Sequence, residues 1–270
     1  MTAISTIFSK RGISFATDSI ISIYNKQTNT YKVIEYTKSK IIPVEKYHAA
    51  IAYYGFAKYN NWSIYNWIKQ QIQSYPQTLD LKQFAQKLKN DLDNKLNDFF
   101  PNKYDINRGI GIHLAGYEKF DDTWIPELYH ICNYKNPEYI EIGDMYVGPQ
   151  LYGTLPVDYR PISDPSEQQK KEAVFKFLEA NRMFIFNNGD PKMFNPLSNS
   201  FRDAYNVLRE RKLTKTMDLD LQLALTRRPI EFIKRAQTDF CEKGKRLVGG
   251  KIHDLTFNKL KNYKSNTGDY

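Results

Sequence analysis

The chain has 270 residues, 41% of them hydrophobic and 26% charged, which is length and apolar content enough for one large core or two small ones. No apolar run approaches the ~20 residues that span a bilayer, and "SKRG" interrupts the opening apolar stretch before a secretion signal forms. The net charge of +9 is spread from end to end rather than gathered on one arm or helix face. That reads as a solvated basic surface and argues against a nucleic-acid partner.

"AISTIF" and "GISFATD" alternate about the turn "SKRG", where Gly12 can take the left-handed conformation of a short hairpin. "SIISIY" and "YKVIEYT" pair around "NKQTN". "KIIPV" then leads to "HAAIAYYG", whose small and apolar residues predict a strand buried on both faces. Helical spacing follows, with Trp62, Tyr65, Ile68 and Ile72 on one stripe. The aromatic area of Trp62, Tyr65 and Trp67 is more than an outer helix leaves in water, so a neighbouring subunit is expected there. After Pro76, a second helix repeats Leu81, Phe84, Leu88, Leu92 and Leu96, with Asp80 as its N-cap.

"GIGIHLAGYE", "WIPELYHICN" and "YIEIGDMYVG" predict a return to strands, and "LPVDYRPISDP" a linker. Helices are expected at "SEQQKKEAVFKFLEANRMFIF", at "SNSFRDAYNVLRER" and at "PIEFIKRAQTDFCEK", the last starting at Pro229. "GGKIHDLTF" is a closing strand. The order shows no βαβ alternation, so an α+β arrangement of antiparallel sheets flanked by helices is expected rather than a doubly wound parallel sheet. We read residues 1–258 as a single domain and 259–270 as a flexible polar tail.

Cys132 and Cys241 stand outside any CxxC spacing, which points to a reduced, cytoplasmic protein without structural disulfides. His48, His113, His130 and His253 sit singly in strand-like segments, so no metal site is expected. No phosphate loop, dinucleotide fingerprint or GxSxG elbow occurs, and no organic cofactor is implied.

Thr2 directly follows Met1, and an initiator Met is commonly trimmed before so small a residue. Trimming leaves the threonine hydroxyl beside a free α-amine, whose reference pKa of about 7.7–8.0 keeps a useful fraction unprotonated near neutrality. One residue then holds both nucleophile and base. The hairpin returns "ATDS" alongside the N-terminus, bringing Asp18 close to Thr2. Lys40 opens a later apolar strand, and Gly55 ends a buried one, with no Cβ to cover its N–H. Charge to lower a pKa, a carboxylate to orient it and an oxyanion donor are what such a nucleophile needs. Taken singly, Asp18 could be a turn former, Lys40 a snorkelling edge residue and Gly55 a hinge. Their order behind Thr2 favours the functional reading.

At these residues the chain resembles a proteasome β-subunit, of the N-terminal nucleophile hydrolase superfamily, and within it a divergent bacterial branch. The match lies in "GISFATDS", "KIIPV", "YYGFA" before a long helix, and "VGGKIHDLTF". The resemblance implies a four-layer α/β/β/α sandwich. It also implies Thr2, Asp18, Lys40 and the Gly55 N–H as a threonine-peptidase set supported by Asp239, acting on peptide or other amide substrates in a closed homo-oligomeric ring. The resemblance names no ATPase partner for this chain. Two positions depart from the family: Pro149 stands where a supporting serine is expected, and Glu242 where another follows Asp239. "YNKQTNTYK" and residues 187–217 look like insertions. Those departures set the alternative, a ring-forming scaffold or binding protein of the same fold that has lost catalysis.

Overall fold

Alternation in the first third of the chain becomes a series of hairpins. The computed structural model describes residues 3–25, 30–36, 39–102, 109–120, 122–135, 142–160, 164–188, 191–211, 218–240, 248–260 and 262–268. The strands β1 (Ile4–Ser9), β2 (Gly12–Asp18), β3 (Ile20–Asn25) and β4 (Thr30–Tyr36) precede β5 (Ile41–Val44) and β6 (Ala49–Gly55). The short β7 (Lys58–Tyr59) and β8 (Trp62–Ser63) lead into helices α1 (Ile64–Ser74) and α2 (Leu81–Phe99). A meander of β9 (Ile110–Phe120), β10 (Thr123–Tyr134) and β11 (Ile142–Pro149) follows. The chain then runs through α3 (Glu167–Glu179), β12 (Phe184–Asn188), α4 (Pro191–Glu210), α5 (Leu219–Phe240), β13 (Ile252–Phe257) and β14 (Lys264–Gly268).

Two five-stranded antiparallel sheets result, in the orders β12-β1-β2-β13-β14 and β11-β10-β9-β6-β5. Strand parity assigns the layers. Ile51 and Tyr53 of β6 face α1 and α2, where they meet Ile68, Phe84 and Leu88. Ala50 and Ala52 of the same strand face the other sheet and meet Phe15 and Phe257. On the far side, Ala16 of β2 packs against Ile230 and Ile233 of α5. Helices, sheet, sheet and helices thus stack in the expected sandwich. The small side chains of β6 let the sheets approach closely, and each layer buries one face of the next. Asp80 caps α2 as expected, its carboxylate accepting from the Gln83 N–H at 2.7 Å while the Gln83 side chain returns to the Asp80 N–H.

Several expectations change in three dimensions. "MFIFNN" is not the end of a helix: α3 stops at Glu179, Asn181 turns left-handed, and β12 pairs with β1 as an edge strand. Pro229 is not the start of a helix, because α5 begins ten residues earlier behind Asp218, whose carboxylate accepts from the Leu221 N–H at 2.7 Å. Burial of Ile230 and Ile233 against the sheet offsets the bond that proline cannot make. Gly12 is not left-handed; a Cβ there would lie 2.5 Å from the Phe257 carbonyl oxygen, so close strand approach requires the glycine. Residues 264–268, read as part of a loose tail, form β14 against β13, anchored by Tyr263 stacked on Phe257 at 4.8 Å. The aromatic stripe leading into α1 packs largely against its own chain, with Trp62 and Tyr65 half-buried. Trp67 is buried, and Trp62 packs on Phe56 at 5.7 Å and Phe99 at 5.2 Å.

Candidate active site

Asp18 ends β2, fully buried, and its carboxylate is a hub. Oδ1 accepts from the Ala3 N–H at 3.0 Å and from the Lys40 ammonium at 3.0 Å. Oδ2 accepts from the Ile20 N–H at 3.3 Å and, more weakly, from the Gly249 N–H at 3.4 Å. The backbone holds it from both sides: the Asp18 N–H donates to the Ala3 carbonyl at 3.2 Å, and Ile252 of β13 stands opposite Asp18. A turn-forming aspartate at a solvated strand end would gather no such set. Apart from Ile20, two residues on, its donors are Ala3 just before β1, Lys40 just before β5 and Gly249 before β13, which the sequence separates widely.

Lys40 lies in the same slot, 1% exposed. Its ammonium donates to Asp18 and to the Ile20 carbonyl, so a buried charge has a countercharge and a dipole. Burial lowers its pKa from the ordinary lysine value; the Asp18 charge and hydrogen bond work against that fall. This is not a snorkelling edge lysine, since its head is dry.

Gly55 closes β6 with φ +84, a conformation that L side chains rarely adopt, and a Cβ there would meet the Gly109 carbonyl oxygen at 2.4 Å. The ladder sets the direction of its N–H. Phe56 N–H donates to the Gly109 carbonyl at 2.7 Å, and at the other end Tyr117 N–H donates to the His48 carbonyl at 3.0 Å. Even-numbered residues of β6 therefore bond β9, and odd-numbered ones point the opposite way. Tyr53 N–H accordingly donates to the Lys40 carbonyl at 3.3 Å. Gly55 N–H lies on that same edge, roughly 6–7 Å further along the strand. The structure thus brings Ala3, Asp18 and Lys40 into contact and aims the Gly55 N–H along the edge that Lys40 occupies.

Thr2 and Glu242 lie outside the described residues. Asp239 is not joined to this cluster: it is exposed near the end of α5 and accepts from Arg235 at 2.8 Å along the helix. The physical reason is helical phase. Gln237, two positions earlier, is the residue turned inward, and its Oε1 accepts from the Val248 N–H at 2.9 Å, one residue before Gly249. Pro149 stands exposed opposite Tyr129, where it ends the β10–β11 ladder. The sequence reading missed Gln237, the Ile20 carbonyl and the Gly249 N–H; "VGG" was the available signal, read there as part of the family match and not as a donor to Asp18. Among the described residues no cluster of three or more His, Cys, Asp or Glu could hold a metal ion, and no helix is long and apolar enough to cross a membrane.

No protein-family model and no curated protein sequence matches the chain. Its fold is similar to that of a solved structure, the ancestral β-subunit Anbu from Yersinia bercovieri. The TM-score is 0.51 over all of this chain and 88% of that one, at 11% sequence identity. At that identity the likeness establishes the fold alone, a proteasome-like sandwich.

Proposed function

We propose that the protein is a threonine-type amide hydrolase with Thr2, exposed by removal of Met1, as nucleophile. The observation that carries this reading is the Asp18 carboxylate, which accepts both from Lys40 and from the N–H of Ala3, the amide bonded to Thr2. In the proposed reaction the Thr2 hydroxyl adds to the substrate carbonyl and passes its proton to the α-amine. The tetrahedral oxyanion accepts from Gly55 N–H, and the amine leaving group takes the proton as the C–N bond breaks. Water then releases the acyl group by the same route. Lys40 acts through charge, favouring the unprotonated amine, and Asp18 holds Lys40 in place. Asp239 has no step in this scheme. The β-subunit-like fold supports extending the proposal to a closed ring of identical chains; the divergent bacterial branch and the peptide substrate rest on the sequence resemblance alone.

Intact-mass spectrometry, joined to hydrolysis of fluorogenic peptides, tests the reading. The expected mass lacks the initiator methionine, and Thr2→Ala is expected to fold and assemble with no residual hydrolysis. A retained Met1 in an assembled protein would leave a ring-forming scaffold without catalysis. An active Thr2→Ala would remove Thr2 from the mechanism.

A further inference from the structure

Between the two sheets, in an otherwise apolar layer, runs a chain of hydrogen bonds that the site above does not use. Thr6 Oγ1 lies 2.9 Å from His113 Nδ1, and His113 Nε2 bonds Asn188 Oδ1. Asn188 Nδ2 donates to the Tyr54 hydroxyl at 3.2 Å, and that hydroxyl lies 2.8 Å from His130 Nε2. The amide fixes the polarity. Asn188 Oδ1 can only accept, so His113 carries its proton on Nε2 and Nδ1 accepts from Thr6. Asn188 Nδ2 can only donate, so the Tyr54 O–H is left to point at His130. Burial drives both imidazoles towards the neutral form, His113 down to about 3 and His130 to about 4, with His130 adding to the effect on His113. Every donor therefore points one way along the chain.

Tyr54 is where this chain touches the site. It immediately precedes Gly55, and its ring lies near-parallel to that of His130, 6.0 Å away at the hydroxyl end, and to that of Tyr134, 5.9 Å away. Gly111, opposite Tyr54 on β9, is the floor under that ring, since a Cβ there would fall 2.0 Å from it. The Tyr134 hydroxyl in turn lies 2.7 Å from where a Cβ on Gly55 would be. The hydroxyl bonds, the close approach of Gly111 and the neighbouring Tyr134 ring together hold Tyr54 in place.

We propose that Tyr54 is a positioning residue. Held by the chain from Thr6 to His130, it fixes the end of β6 and so the direction in which Gly55 presents its N–H. The catalytic part of this inference rests on the amide-hydrolase reading; the mechanical part does not. Tyr54→Phe keeps the ring and removes the hydroxyl, whereas His130→Gln keeps an acceptor for it. In Tyr54→Phe, kcat for a fluorogenic peptide is expected to fall about tenfold with KM unchanged, because the lost alignment concerns an interaction made in the transition state. Hydrogen exchange at the Phe56 amide, the bond that closes β6 on Gly109, is expected to speed up by about tenfold. His130→Gln, which keeps the acceptor but loses the ring, is expected to lie closer to wild type than Tyr54→Phe in both. An active enzyme whose kcat is unmoved by Tyr54→Phe overturns the proposal, as does unchanged exchange at Phe56. If the wild type hydrolyses nothing while Tyr54→Phe still loosens Phe56, the hydrolase reading fails and the positioning of Gly55 stands.

Discussion

Lys40 and Asp18 show how much a single buried pair can govern. Removing one partner leaves the other charged in a slot without water, a loss of about 3–5 kcal/mol, while replacing both by neutral groups of similar size is often harmless to stability. Lys40→Ala is therefore expected to destabilise the fold by about 3 kcal/mol and to abolish hydrolysis. The double variant Lys40→Met with Asp18→Asn is expected to regain most of the stability and none of the activity. Lys40→Arg should rescue poorly, since a planar guanidinium does not fit a site shaped for a compact ammonium. Urea titration alongside peptide hydrolysis measures both properties. A double variant that hydrolyses at the wild-type rate would reduce Lys40 to a structural residue.

The β9–β10 hairpin carries opposing titrations on its two faces. His113 and His130 pair across it, facing the other sheet, and bind a proton less readily than the ordinary 6.5. Their stabilising contribution is complete above that value and is lost as pH falls towards about 4 and 3. Glu127 lies on the helix-side face. Burial raises its pKa from 4.5 to about 8; Glu118 and Glu167 add to the rise, and Lys171 opposes it. The folded state thus holds a proton that the unfolded chain releases. That contribution is present below about 4.5 and is lost as pH rises through 8. Glu127→Gln is expected to flatten the decline in stability between pH 5 and pH 8, and His130→Gln to weaken the decline on the acid side. Denaturant midpoints from pH 8 down to about 4 provide the check. A Glu127→Gln profile that tracks wild type would show that the carboxyl is solvated.

For the whole molecule, the surface left in water matters most. The aromatics at α1 are packed largely within the chain, Trp67 buried and Trp62 and Tyr65 half-buried. The outer helices instead expose Phe232 at 54%, Phe240 at 88%, and Val207 and Leu208 at 46% each. Apolar area of that kind on neighbouring helices is what an interface covers, and head-to-tail association into a closed ring would cover it on every copy at once. Light scattering at low micromolar concentration is expected to give a mass several times 31.7 kDa. A monomer at every concentration would count against the proposed ring and the enclosed chamber with it.

Most elements were legible in the sequence because each is a local pattern, while their stacking into four layers came from the family resemblance. Alternation in "GISFATD", the three-four spacing of Leu81 to Leu96, and Asp80 before its helix all report on neighbours along the chain. The order Asp18, Lys40, Gly55 was legible in the same way, as ends of recognisable strands. Tertiary structure decided the rest, because those outcomes depend on partners remote in sequence. "MFIFNN" became a strand because β1 offered an unpaired edge, and "KSNTG" because β13 offered another. His113 and His130, single in the sequence, face each other because a hairpin register puts them there. Asp239 and Gln237 exchanged roles through the phase of one long helix, a rotation that no local pattern near "AQTDF" specifies. Lys40 could have snorkelled from any strand edge; only the closing of both sheets over Asp18 made it a dry charge.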